Sequence, residues 1–255
     1  ERALLKGIHV LCEKPLAVSE AECRRLIEAA EKGDARLMTA YRLHFNEGNM
    51  KAVEAARAKL GNLRYFNSSF SFQVRDKDNI RLADEKGTGP LWDIGIYCIN
   101  AARYFFREEP VEVAGMAVRS ELDRFEFQPE CVSAILRFPG DRIASFVASF
   151  GAGDCATYEV AGTKGTLRLD SAYEYTEPMS LELNVGDKTT RKTFRKSDQF
   201  AAELVYFADC VRREKKPETS GEEGLADVRI LLAIEESLRT KRTVSLRPAP
   251  TLERK

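Results

Sequence analysis

The sequence predicts a short α/β segment followed by a larger α+β domain with a broad, mostly antiparallel sheet. Near the N-terminus, two short apolar runs flank one amphipathic helix, which is the pattern of a βαβ unit. Most of the remaining chain alternates polar and apolar residues with a period of two, which is typical of half-buried strands. The pattern changes near residue 45, which is the only domain boundary that the sequence indicates.

The α/β segment begins with a nearly continuous apolar run at residues 8–12, as expected for a parallel strand covered on both faces. Pro15 ends this strand because it lacks an N–H donor. Ser19 and Glu22 form a capping box at the start of the helix, and residues 37–41 supply a second strand. Two parallel strands alone would be unstable, so we expect the other strands of this sheet to lie upstream of Glu1.

The larger domain has alternating patterns that predict a sheet and three groups of residues that predict helices. Alternation is clear at 65–74, 132–138 and 144–150, and weaker at 157–161, 166–170 and 179–185. Helices are predicted over 46–60, 197–213 and 221–240. The helix over 197–213 has an apolar stripe (Phe200, Leu204, Phe207, Val211), and the last helix opens with a second capping box formed by Ser220 and Glu223.

Composition excludes several classes of function. The 255 residues include 40 basic and 40 acidic side chains, so no net field favours nucleic acid or anionic lipid. No uncharged apolar run approaches the roughly 18 residues of a membrane span. The six cysteines are scattered and do not cluster with the two histidines, which predicts free thiols, a reducing cytoplasmic location and no catalytic metal.

Two turns at the carboxyl ends of the predicted parallel strands carry polar groups. Glu13, Lys14 and Pro15 follow the first strand, and Tyr41 and Arg42 follow the second. Open α/β sheets bind ligands in the crevice at this edge, where a lysine can bind a hydroxyl group. The alternative is that Lys14 is an ordinary surface lysine in a turn.

A second candidate site lies on a helix that begins at Pro90. Asp93, Tyr97, Asn100 and Tyr104 fall on one side of this helix, and glycines before it permit close approach of a ligand. A phenol exchanges a proton with a substrate hydroxyl most readily when a neighbouring ammonium favours the phenolate. The stripe could equally be a structural polar face.

Three other features carry less functional information. Residues 151–156 (GAGDCA) match a loose dinucleotide-binding fingerprint, but a strand pattern follows, whereas the fingerprint requires a helix. We therefore interpret them as a loop between strands. His9 lies inside an apolar strand and is interpreted as a packing residue, whereas His44 is a candidate ligand contact beside Tyr41 and Arg42.

Four segments together resemble the glucose–fructose oxidoreductase/inositol dehydrogenase (Gfo/Idh/MocA) family. They are residues 7–16 (GIHVLCEKPL), 40–45 (AYRLHF), 89–97 (GPLWDIGIY) and 220–229 (SGEEGLADVR), in the order and spacing of that family. The resemblance implies that residues 1–44 are the C-terminal part (an α/β remnant) of a Rossmann dinucleotide-binding domain. Residues 45–255 would be an α+β domain with a large, mostly antiparallel open sheet for substrate binding and oligomerisation, whose last helices pack back on the Rossmann part.

The resemblance also implies roles for individual residues. Lys14, Asp93 and Tyr97 would be the catalytic and substrate-binding residues. Contacts to NADP or NAD are implied for Glu13, Lys14, Pro15, Tyr41 and Arg42, and further substrate contacts are expected for Trp92 and His44. Tyrosine at position 97 points to the sugar and dihydrodiol branches of the family, which usually use NADP. The open sheet implies a homodimer or homotetramer.

The sequence therefore predicts an NAD(P)-dependent oxidoreductase that transfers a hydride between nicotinamide and a sugar or polyol carbon, most simply aldose to lactone. One alternative is dihydrodiol or other alcohol oxidation, which requires a more apolar pocket around Trp92 and Phe45. Another is a non-catalytic ligand-binding protein on the same scaffold. Because the dinucleotide fingerprint is expected upstream of Glu1, we expect the 255-residue chain alone to be inactive.

Overall fold

The structure is a computed structural model that describes residues 1–120 and 123–246. It contains a small parallel sheet, a large sheet and five α-helices in the described part of the chain. The helices are α1 (Glu20–Lys32), α2 (Glu47–Lys59), α3 (Ile96–Phe106), α4 (Gln199–Arg212) and α5 (Gly221–Thr240). None of the helices in these two ranges is long and apolar enough to cross a membrane.

The small sheet consists of β1 (Val10–Glu13) and β2 (Leu37–Ala40), which pair in parallel with α1 as the crossover between them. The Ser19 hydroxyl accepts a hydrogen bond from the Glu22 N–H, so the first predicted capping box is confirmed. Strand β1 ends directly before Lys14, and the βαβ unit is therefore built as the sequence predicts. Both strands end at the same edge of the sheet.

The large sheet has nine strands in the order β10-β9-β8-β7-β3-β6-β5-β4-β11. Their bounds are β3 Leu63–Ser71, β4 Glu112–Val118, β5 Cys131–Phe138, β6 Arg142–Ser149, β7 Cys155–Gly162, β8 Gly165–Asp170, β9 Met179–Val185, β10 Lys188–Phe194 and β11 Val244–Ser245. All neighbours pair antiparallel except β3 and β6. Strand β3 lies between β6 and β7, which run in opposite directions, so it must be parallel to one of them.

Three strands have no clear signal in the sequence. Edge strand β10 exposes almost every side chain, and β4 has few buried residues, so neither shows a strong alternation of polar and apolar residues. The two-residue strand β11 is too short to show one. The strands with clear alternation, such as β5, bury every second side chain against the helices.

The capping box predicted for α5 is wrong. The helix begins at Gly221 as expected, but the Ser220 side chain makes no capping hydrogen bond. Glu223 instead lies 2.9 Å from Arg103 of α3 in a buried ion pair. An ion pair with a buried arginine has displaced the local capping interaction.

The apolar stripe predicted for α4 is not its buried face. Phe200 and Leu204 are 43% and 59% exposed, whereas the polar residues Gln199 and Glu203 are buried. The side of α4 that faces the protein interior therefore carries an amide and a carboxyl group.

Helix α5 packs back onto the small sheet. The Thr39 N–H donates to the Thr219 carbonyl at 2.7 Å, just before the helix begins. One turn into α5, the position of Gly224 is so close to Thr39 that a Cβ atom there would lie 2.5 Å from its hydroxyl oxygen. This contact joins the C-terminal helix to the two strands that end directly before Lys14 and Tyr41.

Candidate active site

A cleft of about 720 Å³ lies at the carboxyl ends of β1 and β2, between them and the helix face of the large sheet. It brings together residues that are distant in sequence, and most of the side chains that line it are charged or phenolic (Glu13, Lys14, Arg42, Arg81, Asp93, Tyr97, Asp154, Tyr173, Glu174, Tyr175, Glu203). The sequence-predicted residues Glu13, Lys14, Arg42, Asp93 and Tyr97 all lie in this cleft. This is the crevice in which open α/β sheets bind ligands.

Lys14 and Asp93 form an ion pair in the cleft. The Lys14 ammonium donates to the Asp93 carboxylate at 2.8 Å and to the Asp93 carbonyl at 2.6 Å. Arg81 donates to the other carboxylate oxygen at 2.7 Å. Burial alone would raise the pKa of Asp93, but the two cations outweigh it and lower the pKa. Asp93 is therefore held as a carboxylate with both oxygens fixed in position.

Asp93 lies in an unusual turn. Residues Leu91–Gly95 form a π-helical turn, and α3 continues from Ile96. Single π-helical turns are rare and occur often at functional sites. The turn follows Pro90, which suits the first turn of a helix because it needs no N–H donor there.

Tyr97 lies between two cations. The Lys14 Nζ atom is 4.9 Å from the centre of the Tyr97 ring, and the Arg42 guanidinium carbon is also 4.9 Å from it. The Arg42 Nε–H donates to the phenolic oxygen at 3.3 Å. The Arg42 guanidinium is thus hydrogen-bonded to the phenolic oxygen, and the Lys14 ammonium lies near the ring.

The guanidinium of Arg42 is itself held from two other directions. It donates to the Gln199 side chain at 2.9 Å and to the Tyr173 carbonyl at 2.6 Å, and only 7% of Arg42 is exposed. The Tyr173 hydroxyl is in turn 2.6 Å from the Ser68 hydroxyl of β3. A buried, three-sided set of hydrogen bonds fixes the orientation of Arg42 relative to Tyr97.

The structure does not bring four of the expected ligand contacts to the cleft. Trp92 is 2% exposed and donates to Glu235 of α5 at 2.6 Å. His44 lies 2.8 Å from Asn100 and packs edge-on against Tyr104. Tyr41 is buried, and burial together with Asp227 raises its pKa well above the ordinary range. These side chains, and that of Pro15, are not part of the cleft lining, and their contacts with a ligand stay predictions.

The distal half of the polar stripe on α3 is structural. Asn100 donates to Asp227 at 2.8 Å, and Asp227 accepts from the fully buried Arg103 at 2.6 Å. Arg103 also pairs with Glu109 at 2.7 Å. This network joins α3 to α5 away from the cleft. Asp93 and Tyr97 are therefore the members of the stripe that face the cleft.

Arg81, Tyr173 and Glu203 line the cleft but were not identified from the sequence. Arg81 follows a loop with no motif, and Tyr173 follows β8 in a turn, so neither carries a local signal. Glu203 lies beside the predicted apolar stripe of α4, three residues after Phe200 and four before Phe207, and only the packing shows that it is buried. Residues 151–154 lie in the loop between β6 and β7, as interpreted from the sequence, whereas Cys155 and Ala156 already belong to β7. Asp154 from this loop reaches the cleft.

Comparison with known proteins agrees with this arrangement. Residues 1–41 match the family model described as oxidoreductase family, NAD-binding Rossmann fold, and residues 50–168 match the GFO/IDH/MocA C-terminal domain. D-xylose 1-dehydrogenase [NADP(+)] from Haloarcula marismortui is 31% identical over 93% of this chain and 68% of that protein. D-xylose 1-dehydrogenase (NADP(+)) 2 from Haloferax volcanii is 28% identical over 94% of this chain and 74% of that protein.

A solved structure extends the similarity to the fold. Aldose–aldose oxidoreductase from Caulobacter crescentus, crystallised with glycerol, superposes with a TM-score of 0.90 at 33% identity. The superposition covers 96% of this chain and 74% of that one. The fold, the cleft and these matches define an oxidoreductase with a Rossmann-type nucleotide-binding part. The chain belongs to the Gfo/Idh/MocA family of NAD(P)-dependent oxidoreductases.

Proposed function

We propose that this protein oxidises a sugar or polyol reversibly with NADP, most simply an aldose at C1 to give a lactone. The observation that carries the proposal is the convergence of Lys14, Asp93, Tyr97 and Arg42 at the carboxyl ends of β1 and β2. The similarity to NADP-dependent xylose dehydrogenases and to an aldose–aldose oxidoreductase supports both the substrate class and the choice of NADP.

The residues of the cleft fit a nicotinamide nucleotide and a polyhydroxylated substrate. Lys14 has three N–H donors and uses two of them on Asp93, so one is left for a ligand. A carboxylate has about four acceptor positions, so Asp93 can accept from a substrate hydroxyl in addition to Lys14 and Arg81. Glu13 and Lys14 are the residues of this chain that would contact the nucleotide. When bound, the nucleotide accepts the hydride from the substrate carbon.

In the proposed mechanism, Tyr97 is the general base for oxidation and the general acid for reduction. As the substrate carbon is oxidised, its hydroxyl proton passes to the phenolate oxygen of Tyr97. The Arg42 Nε–H donates to that oxygen and holds it in position to take the proton. Asp93 fixes the substrate hydroxyl relative to Tyr97, and Lys14 and Arg81 keep Asp93 in place.

The geometry favours a polyol over a dihydrodiol as substrate. An apolar substrate requires a hydrophobic pocket around Trp92 and Phe45. Trp92 is buried against α5, and Phe45 packs against Tyr206 with ring centres 5.0 Å apart, so neither lines the cleft. The cleft instead presents carboxylates and cations, which bind hydroxyl groups.

The test is a turnover screen of aldoses and polyols with NADP and NAD, using the full-length gene product. We expect Tyr97→Phe and Lys14→Ala each to lower kcat roughly 100-fold or more, which is the usual range for general acid–base groups. Lys51→Ala is the matched control, because Lys51 is an exposed lysine of α2 that pairs with Glu54 and does not line the cleft. Near-normal turnover in both active-site variants would contradict the assignment of roles.

Two further properties belong to the same proposal. The exposed face of the large sheet carries apolar side chains on adjacent strands, which supports assembly as a homodimer or homotetramer through this face. The six cysteines are free thiols, which supports a reducing location such as the cytoplasm. The domain boundary near residue 44 stays a prediction.

A further inference from the structure

Glu203 is a carboxyl group in the cleft that the proposed mechanism does not use. It lies in the first turns of α4, is only 3% exposed and lines the cleft beside Arg42 and Glu13. Its Oε1 atom is buried and has no hydrogen-bond partner among the described residues. A buried acceptor without a partner is costly, so its presence beside a binding cleft requires an explanation.

The surroundings of Glu203 define what can bind there. Glu13 at the end of β1 adds a second negative charge, and Arg42 after β2 supplies the nearby positive charge. Burial, with Glu13 as the next contribution, raises the pKa of Glu203 to about 7, and Arg42 opposes this only in part. Two carboxyl groups repel a negatively charged group at this position, so a neutral part of a ligand fits here. An ionised carboxylate is an acceptor only, so the matching group is a neutral hydrogen-bond donor.

We propose that Glu203 forms a second hydroxyl-binding subsite of the cleft, on the α4 side of Arg42, where it accepts a hydrogen bond from a hydroxyl group of a bound ligand. This inference rests on the proposed function, because it requires that a polyhydroxylated ligand enters the cleft. Arg42 connects the two subsites: it contacts Tyr97 on α3 and Gln199, one turn before Glu203, on α4.

The hydroxyl group can come from the sugar substrate or from the nicotinamide ribose. Both sources would donate the same kind of hydrogen bond to Glu203, and two measurements distinguish them. The Kd of NADPH is measured from its fluorescence without turnover, and the KM of the preferred sugar is measured at saturating NADP. Both are compared between the full-length wild type and Glu203→Gln from pH 6 to pH 8.

The expected result is a loss of affinity for one ligand of about 10-fold or more above pH 7, since a hydrogen bond to a charged group contributes about that much. Affinity in the wild type should rise with pH as Glu203 ionises, whereas the variant should show no such rise. A change in the KM of the sugar alone places the sugar at Glu203, and a change in the Kd of NADPH alone places the ribose there. Unchanged values of both overturn the proposal.

Two further variants separate this inference from its alternatives. Asp209→Asn removes another carboxylate of α4, outside the cleft lining, and should leave both constants unchanged. Glu203→Asp keeps the charge on a side chain shorter by one methylene and should lose affinity in part while keeping the pH dependence. It also serves if Glu203→Gln fails to fold, because loss of the wild-type pH dependence in Glu203→Asp contradicts the proposal.

If the wild type binds NADPH but oxidises no polyol, the proposed function fails, while the NADPH measurement still tests Glu203.

Discussion

At the scale of single residues, the central feature is the contact between Arg42 and Tyr97. A guanidinium keeps its charge at every pH relevant to a protein, and its planar donors can contact a phenol, an amide and a carbonyl at once. Arg42 makes these three contacts, to Tyr97, Gln199 and Tyr173. It therefore acts on the reaction by placing and polarising Tyr97.

We expect replacement of Arg42 to affect kcat more than KM. Arg42→Lys keeps a positive charge but cannot reproduce the planar set of donors, so it should retain more activity than Arg42→Met. In Arg42→Met, kcat should fall roughly 10-fold or more, because Tyr97 loses the hydrogen bond that positions its oxygen. Arg64→Met on the exposed side of β3 is the control. An unchanged kcat in Arg42→Met would show that the arginine is only a packing residue.

The raised pKa of Glu203 also predicts a pH dependence of stability. Its pKa rises from an ordinary 4.5 to about 7 on folding, so between these pH values the folded state binds the proton more tightly than the unfolded state. Stability from this group is therefore lost as the pH rises from about 4.5 to 7, and the loss is constant above that range. Glu203→Gln removes this dependence.

Denaturant unfolding of wild type and Glu203→Gln at several pH values measures this effect. The variant should gain stability relative to the wild type as the pH rises through this window, by on the order of 1–3 kcal/mol. Asp209→Asn should follow the wild type. A difference between wild type and Glu203→Gln that does not change with pH would contradict a raised pKa.

At the scale of elements, α4 and α5 show how packing positions the site. Helix α4 exposes Phe200 and Leu204 and buries Gln199 and Glu203, which is the reverse of an ordinary amphipathic helix. This orientation places an amide on Arg42 and a carboxyl group in the cleft. Helix α5 lies close to the small sheet, and Thr219, just before the helix begins, accepts a hydrogen bond from the Thr39 N–H of β2. The two helices thus hold the ends of β1 and β2 beside the large sheet.

The close approach of α5 depends on Gly224. A Cβ atom at this position would lie 2.5 Å from the Thr39 hydroxyl oxygen and 2.8 Å from the Leu16 Cβ atom. We therefore expect Gly224→Ala to lower the free energy of unfolding by about 1–3 kcal/mol, as overpacking in a core does. Gly153→Ala is the matched control, since a Cβ atom there meets nothing within 4 Å. Equal stability of the two variants would show that α5 can shift freely.

At the scale of the whole molecule, the large sheet has one face covered by helices and one face open. The open face exposes apolar side chains on four adjacent central strands (Tyr65, Met116, Val118, Ile135, Ile143, Val147). Some of these neighbour one another directly across strands, as Tyr65 and Ile143 do. An apolar surface of this kind supports the proposed assembly of subunits through this face.

We expect substitutions on the open face to change the oligomeric state. The double variant Ile135→Lys, Val147→Lys places two charges in the middle of the face and should convert the proposed oligomer to a monomer in light scattering after size exclusion. Ile80→Lys is the control, because Ile80 is 73% exposed but does not lie on the sheet. If the double variant keeps the mass of the wild type, the oligomer does not form through this face.

The sequence alone was sufficient for the βαβ unit, the strands with strict alternation and the motif residues Lys14, Asp93 and Tyr97. Hydrophobic periodicity, capping residues and strand-end positions are local properties, so they can be recognised without coordinates. Only the tertiary structure showed that Arg42 contacts Tyr97, that Arg81 and Lys14 share Asp93, and that Trp92 and His44 lie outside the cleft. These contacts join residues from different elements, and the face of a helix that becomes buried, as α4 shows, is decided by what packs against it.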